Sequence, residues 1–162
     1  MLNKIAGIPV HVLVIHVVVV FVPLLIFGAI VYAAVPSWRK RIDWAVIALA
    51  VLAPISALIA KLSGQNLRND LIAKGYSGAA LAKIDQHMGF GNMTLWFSIA
   101  LGVVALALVG YVWRTARTPD ASEHSLARLG GLVVTVVLGA FLGYYVFRTG
   151  DSGAHNVWDG VV

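Results

Sequence analysis

The sequence predicts an all-α integral membrane four-helix bundle with short interfacial helices in its second loop. Three observations carry that reading. The 162 residues are 60% hydrophobic and only 12% charged, whereas a soluble domain is roughly 45–50% apolar and about 25% charged. The mean hydropathy is +0.87. The apolar residues also gather in four runs separated by charged or turn-forming residues. Too few charges remain to coat a water-facing surface, so a disordered chain, a nucleic-acid-binding module and a conventional soluble enzyme are excluded. A single transmembrane domain over residues 1–162 is expected, with spans near 8–35, 44–60, 90–113 and 129–147.

The first span lies in the uncharged run from Ile5 to Ser37, well beyond the roughly 20 residues that cross a bilayer. It exceeds the apolar core of a signal peptide, about 7–15 residues, and is expected to be retained. Pro9 sits at the helix entry, where proline is tolerated, while Pro23 falls mid-span and predicts a kink. The second span, Trp44 to Ala60, is bracketed by Asp43 and Lys61 and carries Pro54. Its shortness is offset by flanking side chains that can snorkel to the interface. The third span runs from about Phe90 to Trp113 and the fourth from about Leu129 to Phe147. Trp38, Trp44, Tyr111, Trp113, Tyr144 and Tyr145 fall near span ends, as in aromatic belts.

Between the second and third spans, Leu67, Leu71 and Ile72 recur at helical spacing, as do Leu81 and Ile84. Gly75 and Gly78 divide the two segments, and Ser77 is a candidate N-cap. This pattern predicts two short amphipathic helices at the membrane surface. Basic residues set the orientation. Arg39, Lys40 and Arg41 crowd the first loop, and Arg114, Arg117 and Arg128 the third, which places these loops in the cytoplasm. Both termini and the second loop are then extracytoplasmic. The net charge of +5 is read as contact with lipid headgroups rather than with nucleic acid.

Two stripes of small residues predict how the helices pack: Thr94, Ser98, Gly102 and Ala105 on span three, and Gly131, Thr135, Gly139 and Gly143 on span four. In lipid, association depends on close backbone approach along such stripes. They predict a tight hairpin between spans three and four. Alternatively one stripe serves a homo-oligomer or other membrane subunits.

The histidines are where chemistry is expected. With no cysteine in the chain, disulfides, thiolate metal sites and covalently attached haem are excluded. Neutral imidazole is then the best available ligand for a transition metal or haem. His11, His16, His87 and His155 fall toward one side of the inferred topology; His124 lies in the third loop beside Glu123. His11 and His16 are five residues apart, about 140° around a helix, so they face different neighbours. A bis-histidine b-type haem would therefore join His16 to His87, with His11 and His155 tuning or shielding it. A mononuclear metal site would gather three of these imidazoles with Asp151 or Asp85. No charged residue lies within a span and no inverted repeat is visible, which leaves an ion permease as the weakest alternative.

The opening GIPVHVLVIHVVVVFVPL, with Gly7, Pro9, His11 and His16, resembles a bacterial family of small predicted membrane proteins, domain of unknown function twenty-two thirty-one. Val12, Val17 and Val18 replace the usual proline, phenylalanine and proline. SGQNL at Ser63 to Leu67 is similar to an SGE-x-L element of the family, with Gln65 in place of the acid. QHMG, with His87 and Gly89, resembles its His-x-x-Gly element with the spacing changed by one residue. RTGDSGAHNVW resembles endings of actinobacterial-looking members. The resemblance spans nearly the whole chain and implies four membrane helices and a bacterial plasma membrane. The residues themselves point to an electron-transfer protein holding haem b or a transition metal, not to a catalyst acting alone. The competing expectation is a cofactor-free accessory subunit of a larger membrane complex.

Overall fold

The computed structural model describes residues 4–5, 8–115 and 124–158. A two-residue antiparallel pair, Lys4–Ile5 with Ile8–Pro9, leads into α1 (Val10–Ala34). A single 3-10 turn at Pro36–Trp38 joins α1 to α2 (Arg39–Ala73). Helices α3 (Gly78–Thr115) and α4 (His124–Trp158) complete the bundle. All four are long and apolar enough to cross a membrane. Each packs on two neighbours, in the ring order α1–α2–α3–α4, with little direct contact across the diagonal between α1 and α3. Short connections make consecutive helices antiparallel.

The core is the line of residues facing the bundle axis: Val22, Leu25 and Tyr32 of α1, Val46 and Ala53 of α2, Leu101 of α3 and Leu142 of α4. The opposite faces leave Phe27, Val103, Leu129 and Phe147 largely uncovered. In water this apolar exterior would be an aggregation liability; in a bilayer it is the solvated face. Helices α1 and α2 continue through Pro23 and Pro54.

Beyond the expected spans, the structure departs from the sequence reading. Helix α2 does not stop near Ala60, nor does α3 start near Phe90. The segment expected to lie flat as two interfacial helices instead prolongs both helices into a projecting hairpin. Lys61 Nζ donates to Asn92 Oδ1 at 2.7 Å, and Arg68 pairs with Asp85 at 2.5 and 3.0 Å. The Arg68 guanidinium holds the exposed Asp85 carboxyl below its usual range. The hairpin turn explains why the chain reverses there. Gly75 takes φ +92°, with its N–H on the Ile72 carbonyl and the Tyr76 N–H on the Leu71 carbonyl. That is a Schellman closure, which needs a left-handed residue and so favours glycine.

The small-residue stripes also serve different neighbours from those expected. Thr94 bonds Thr149 of α4 at 3.0 Å, but a Cβ on Gly102 would meet α2, and one on Gly139 would meet Ile26 of α1. Only Gly131 approaches α3, against Leu108. The stripes therefore hold the ring together rather than one hairpin. Contact between α3 and α4 is carried in part by Phe97, stacked on Phe141 and Tyr145 at 5.4 and 5.3 Å.

At the end opposite the hairpin, Arg39 reaches back from α2. Its Nε and Nη2 donate to the carbonyls of Tyr32 and Ala33, both at 2.9 Å. These belong to the last turn of α1, where carbonyls lack intrahelical partners and a cation suits the helix dipole. Arg39→Ala is expected to lower stability by about 1–3 kcal/mol, the range for hydrogen bonds to a charged donor. Thermal melting in detergent, followed by circular dichroism, measures this; Lys40→Ala serves as the control and should melt like the parent.

Candidate functional site

At the hairpin end, where α1 begins and α4 finishes, two of the expected histidines meet. The rings of His11 (α1) and His87 (α3) lie 6.3 Å apart, centroid to centroid, with their planes at 88°. Helices α1 and α3 are diagonal in the ring, so this contact crosses the bundle axis.

Each imidazole is held by the helix that follows its own in sequence. His11 Nδ1 lies 2.9 Å from the Ala60 carbonyl and 3.4 Å from Ser63 Oγ on α2. A carbonyl oxygen only accepts, so Nδ1 carries the proton and Nε2 keeps its lone pair. His87 Nδ1 lies 3.0 Å from Ser152 Oγ on α4. That hydroxyl donates to the Arg148 carbonyl at 2.7 Å, so its oxygen accepts from His87 and the same tautomer results. Glycines sit against both rings. A Cβ on Gly64 would fall 3.1 Å from His11 Cε1, and one on Gly153 would fall 3.0 Å from His87 Cε1. Either contact is tight enough to displace the ring.

The two halves of the site repeat one another. In each, a histidine on the leading helix docks on a Ser-Gly pair of the next: His11 on Ser63-Gly64, His87 on Ser152-Gly153. The α1–α2 and α3–α4 hairpins are thus related at this site by an approximate two-fold axis along the bundle, with the imidazoles on either side of it. No such parallel repeat was expected from the sequence. Ser-Gly at positions 63–64 and 152–153 is the signal that could have revealed it.

The other histidines do not join them. His16 is exposed, and its Nδ1 bonds the Val12 carbonyl of its own helix at 2.7 Å. As the five-residue spacing requires, it faces away from the neighbour that His11 touches. The expected pairing of His16 with His87 is therefore replaced by His11 with His87. His155 also bonds within its helix, to the Asp151 carbonyl at 2.9 Å, with the Asp151 carboxylate 3.4 Å away. Its ring is exposed rather than folded over the site. Asp85, the other carboxylate considered, is engaged by Arg68. Among the described residues no three His, Cys, Asp or Glu side chains converge as a metal site, so the expected cluster of four imidazoles is a pair. The side chain of His124, with Glu123 and Arg117, lies outside the described residues.

Around the pair the surroundings are polar but largely satisfied. Thr94 and Thr149 bond one another below it, and Arg148 lies over the Phe90 ring at 4.8 Å. Two imidazoles with anchored Nδ1–H groups are what a transition metal needs of histidine, because the anchored nitrogen fixes the tautomer and orients the ring. The same geometry equally ties four helices together.

No curated protein and no solved structure matches the chain. A family model described as a predicted membrane protein, DUF2231, matches residues 7–162. That match runs from Gly7, ahead of the first histidine, through the last turn of α4, and so takes in both halves of the site. A four-helix chain of this composition, matched over almost its whole length, belongs to the predicted membrane protein family DUF2231.

Proposed function

We propose that the chain is a multi-pass protein of the bacterial plasma membrane that holds one transition-metal ion between His11 and His87 and passes electrons through it. The observation that carries this reading is the pairing itself. Residues 76 positions apart in sequence, on diagonal helices, present equivalently anchored imidazoles to each other across the bundle axis. Imidazole suits copper, zinc, iron and nickel, and a centroid separation of 6.3 Å leaves room for two metal–nitrogen bonds of about 2.0–2.1 Å. Two protein ligands leave coordination positions open for water or an incoming molecule. An ion is favoured over b-type haem because Gly64 and Gly153 press directly on the imidazoles; a macrocycle needs a slot where those backbones pass. Positive-inside charge places the pair, with both termini, on the extracytoplasmic side.

The alternative of a cofactor-free accessory subunit rested on small-residue stripes free to dock elsewhere. Gly102, Gly131 and Gly139 are instead occupied within the bundle.

The test is metal loading of the detergent-purified protein after chelation. One copper ion per chain by elemental analysis is expected, lost in His11→Ala and in His87→Ala but retained in His16→Ala and His155→Ala; a site that takes only zinc, which has no redox chemistry, would overturn the electron-transfer role. A Soret band in the protein as purified would replace the ion with haem. No bound metal, with melting unchanged in all four variants, would leave the accessory role.

A further inference from the structure

The two halves of the bundle differ in one respect that opens a cavity. Helix α3 starts nine residues before its histidine, at Gly78, whereas α1 starts at Val10, one residue before His11. Among the described residues, no helix covers the matching face of α2. A cavity of about 270 Å³ lies there, bounded by Pro9, Val10 and His11 on one side and by one stripe of α2 on the other. That stripe begins at Ile59 and Leu62, passes Ser63 and Asn66, and ends at Asp70 and Lys74. At 1.5 Å per residue it is about 22 Å long, comparable with half of the roughly 40–45 Å bilayer that includes the headgroups.

Its chemistry is graded along that length. Ile59 lies inside the expected span and Leu62 just beyond it, so the lower end is apolar and meets the hydrocarbon. The middle offers the Asn66 amide as a neutral donor, flanked by Leu67, Ser63 and the His11 ring, whose own O–H and N–H are already given to the Ala60 carbonyl. The upper end carries one carboxylate and one ammonium four residues apart on the same helix face, which together add no net charge. Such a cavity suits an amphiphile with a tail in the bilayer and a neutral, hydrogen-bonding head. Its volume, just under the usual 300–1,000 Å³ of ligand pockets, suits a single ring better than a two-chain phospholipid.

We propose that this cavity binds the ring of a membrane quinone, with the tail descending past Leu62 and Ile59 and the ring beside Ser63, Asn66 and His11. His11 then belongs both to the metal pair and to the cavity wall, so the bound ring is adjacent to the metal. As the electron partner of that metal, the quinone rests on the proposal above; as a cavity ligand, it does not.

The experiment equilibrates the detergent-purified chain with a decyl-substituted benzoquinone, passes it through gel filtration, and quantifies quinone and metal in the same fractions. One quinone per chain is expected for the parent. Leu62→Trp, which fills the lower cavity from a half-exposed position, is expected to weaken retention by about tenfold or more, the size of one lost contact group. Leu129→Trp, similarly exposed at the other end of the bundle, should retain the parent value. Equal retention by both variants would mean partition into the micelle, and would overturn the proposal. So would displacement of the quinone by an equimolar two-chain phospholipid. Quinone retained by a chain that binds no metal would sustain the cavity and overturn the metal reading; metal without quinone would do the reverse.

Discussion

Gly102→Ala is expected to be the most damaging single methyl addition in the bundle. A Cβ at this position would stand 2.6 Å from the Ala50 carbonyl oxygen, 3.5 Å from its carbon and 3.5 Å from Pro54 Cγ. Backbone cannot rotate aside as a side chain can, so α2 and α3 must separate. The carbonyl involved is no ordinary one. Pro54 has no N–H, so the Ala50 oxygen four residues earlier loses its intrahelical donor. In lipid an unsatisfied carbonyl is costly, and neighbouring helices are what relieve it. Gly102 lets the α3 backbone come against that oxygen. The added methyl group both overpacks the interface and drives this contact apart. Overpacking alone costs about 1–3 kcal/mol, and Gly102→Ala should reach the upper part of that range. Gly102→Leu should abolish a monodisperse species in detergent.

Three other glycines set the scale. A Cβ on Gly131 also comes within 2.6 Å of an atom, but that atom is the Cδ2 end of the Leu108 side chain, which can turn away. Gly131→Ala should cost less than Gly102→Ala. Gly110 faces open space, so Gly110→Ala should match the parent or exceed it through helix propensity. Gly139→Leu, placed 3.1 Å from Ile26 Cγ2, should loosen α4 from α1. Circular dichroism melting ranks the series. Equal melting of Gly102→Ala and Gly110→Ala would remove the α2–α3 contact from any special standing.

The four crossings were legible because bilayer insertion selects on hydropathy, which sequence carries residue by residue. Where the helices end was not. Past Lys61 the face of α2 turns polar, with Gln65, Asn66, Arg68 and Asn69, and hydropathy registers that as an exit from the membrane. It is an exit, yet helix formation has no reason to stop there: α2 and α3 support one another through Lys61–Asn92 and Arg68–Asp85 until Gly75 permits the reversal. The stripes were legible as contact surfaces but not by partner, since a stripe states that something approaches closely without naming it. Gly102 answers Ala50 on α2, not α4, because Pro54 shapes the surface it meets.

The histidine pair was half legible. Spacing excluded His11 and His16 from one face, and that constraint holds; choosing which of them turns inward required knowing where α2 lies. Spacing alone left either free to pair with His87. Register favoured His11, because Gly64 offers a gap at its level. The repeat is hidden in the sequence because the histidine-to-serine separations differ, 52 residues in one half and 65 in the other. That difference lies in the length of chain between histidine and serine, with both α3 and α4 contributing, not in the contact.

Gly153→Ala provides the sharpest test of whether the imidazoles work as ligands or as struts. The new Cβ would stand 3.0 Å from His87 Cε1 and 3.4 Å from Nδ1, so the ring must move by a few tenths of an ångström. Ser152→Ala acts on the same ring by another route, removing the oxygen that receives the Nδ1 proton. The Thr149 backbone is then left as the ring's remaining anchor, and the imidazole is oriented less firmly. Groups that orient a metal-bound histidine typically contribute 10–100-fold to metal affinity, and each variant is expected to lose about that much. Gly150→Ala, on the same helix and facing open space, should lose none. Metal titration at fixed pH, with melting measured on the apo form, separates the two roles. A strut would show lowered melting and no selective change in affinity; a ligand shows the affinity loss whether or not melting falls. Because a metal takes only the neutral imidazole, affinity in the parent should also weaken at acid pH, and burial of His87, which lowers its pKa, moves that loss to more acid pH than for an ordinary histidine. A metal affinity that ignores pH, Gly153→Ala and Ser152→Ala alike would place the ion elsewhere and leave His11 and His87 as packing between helices.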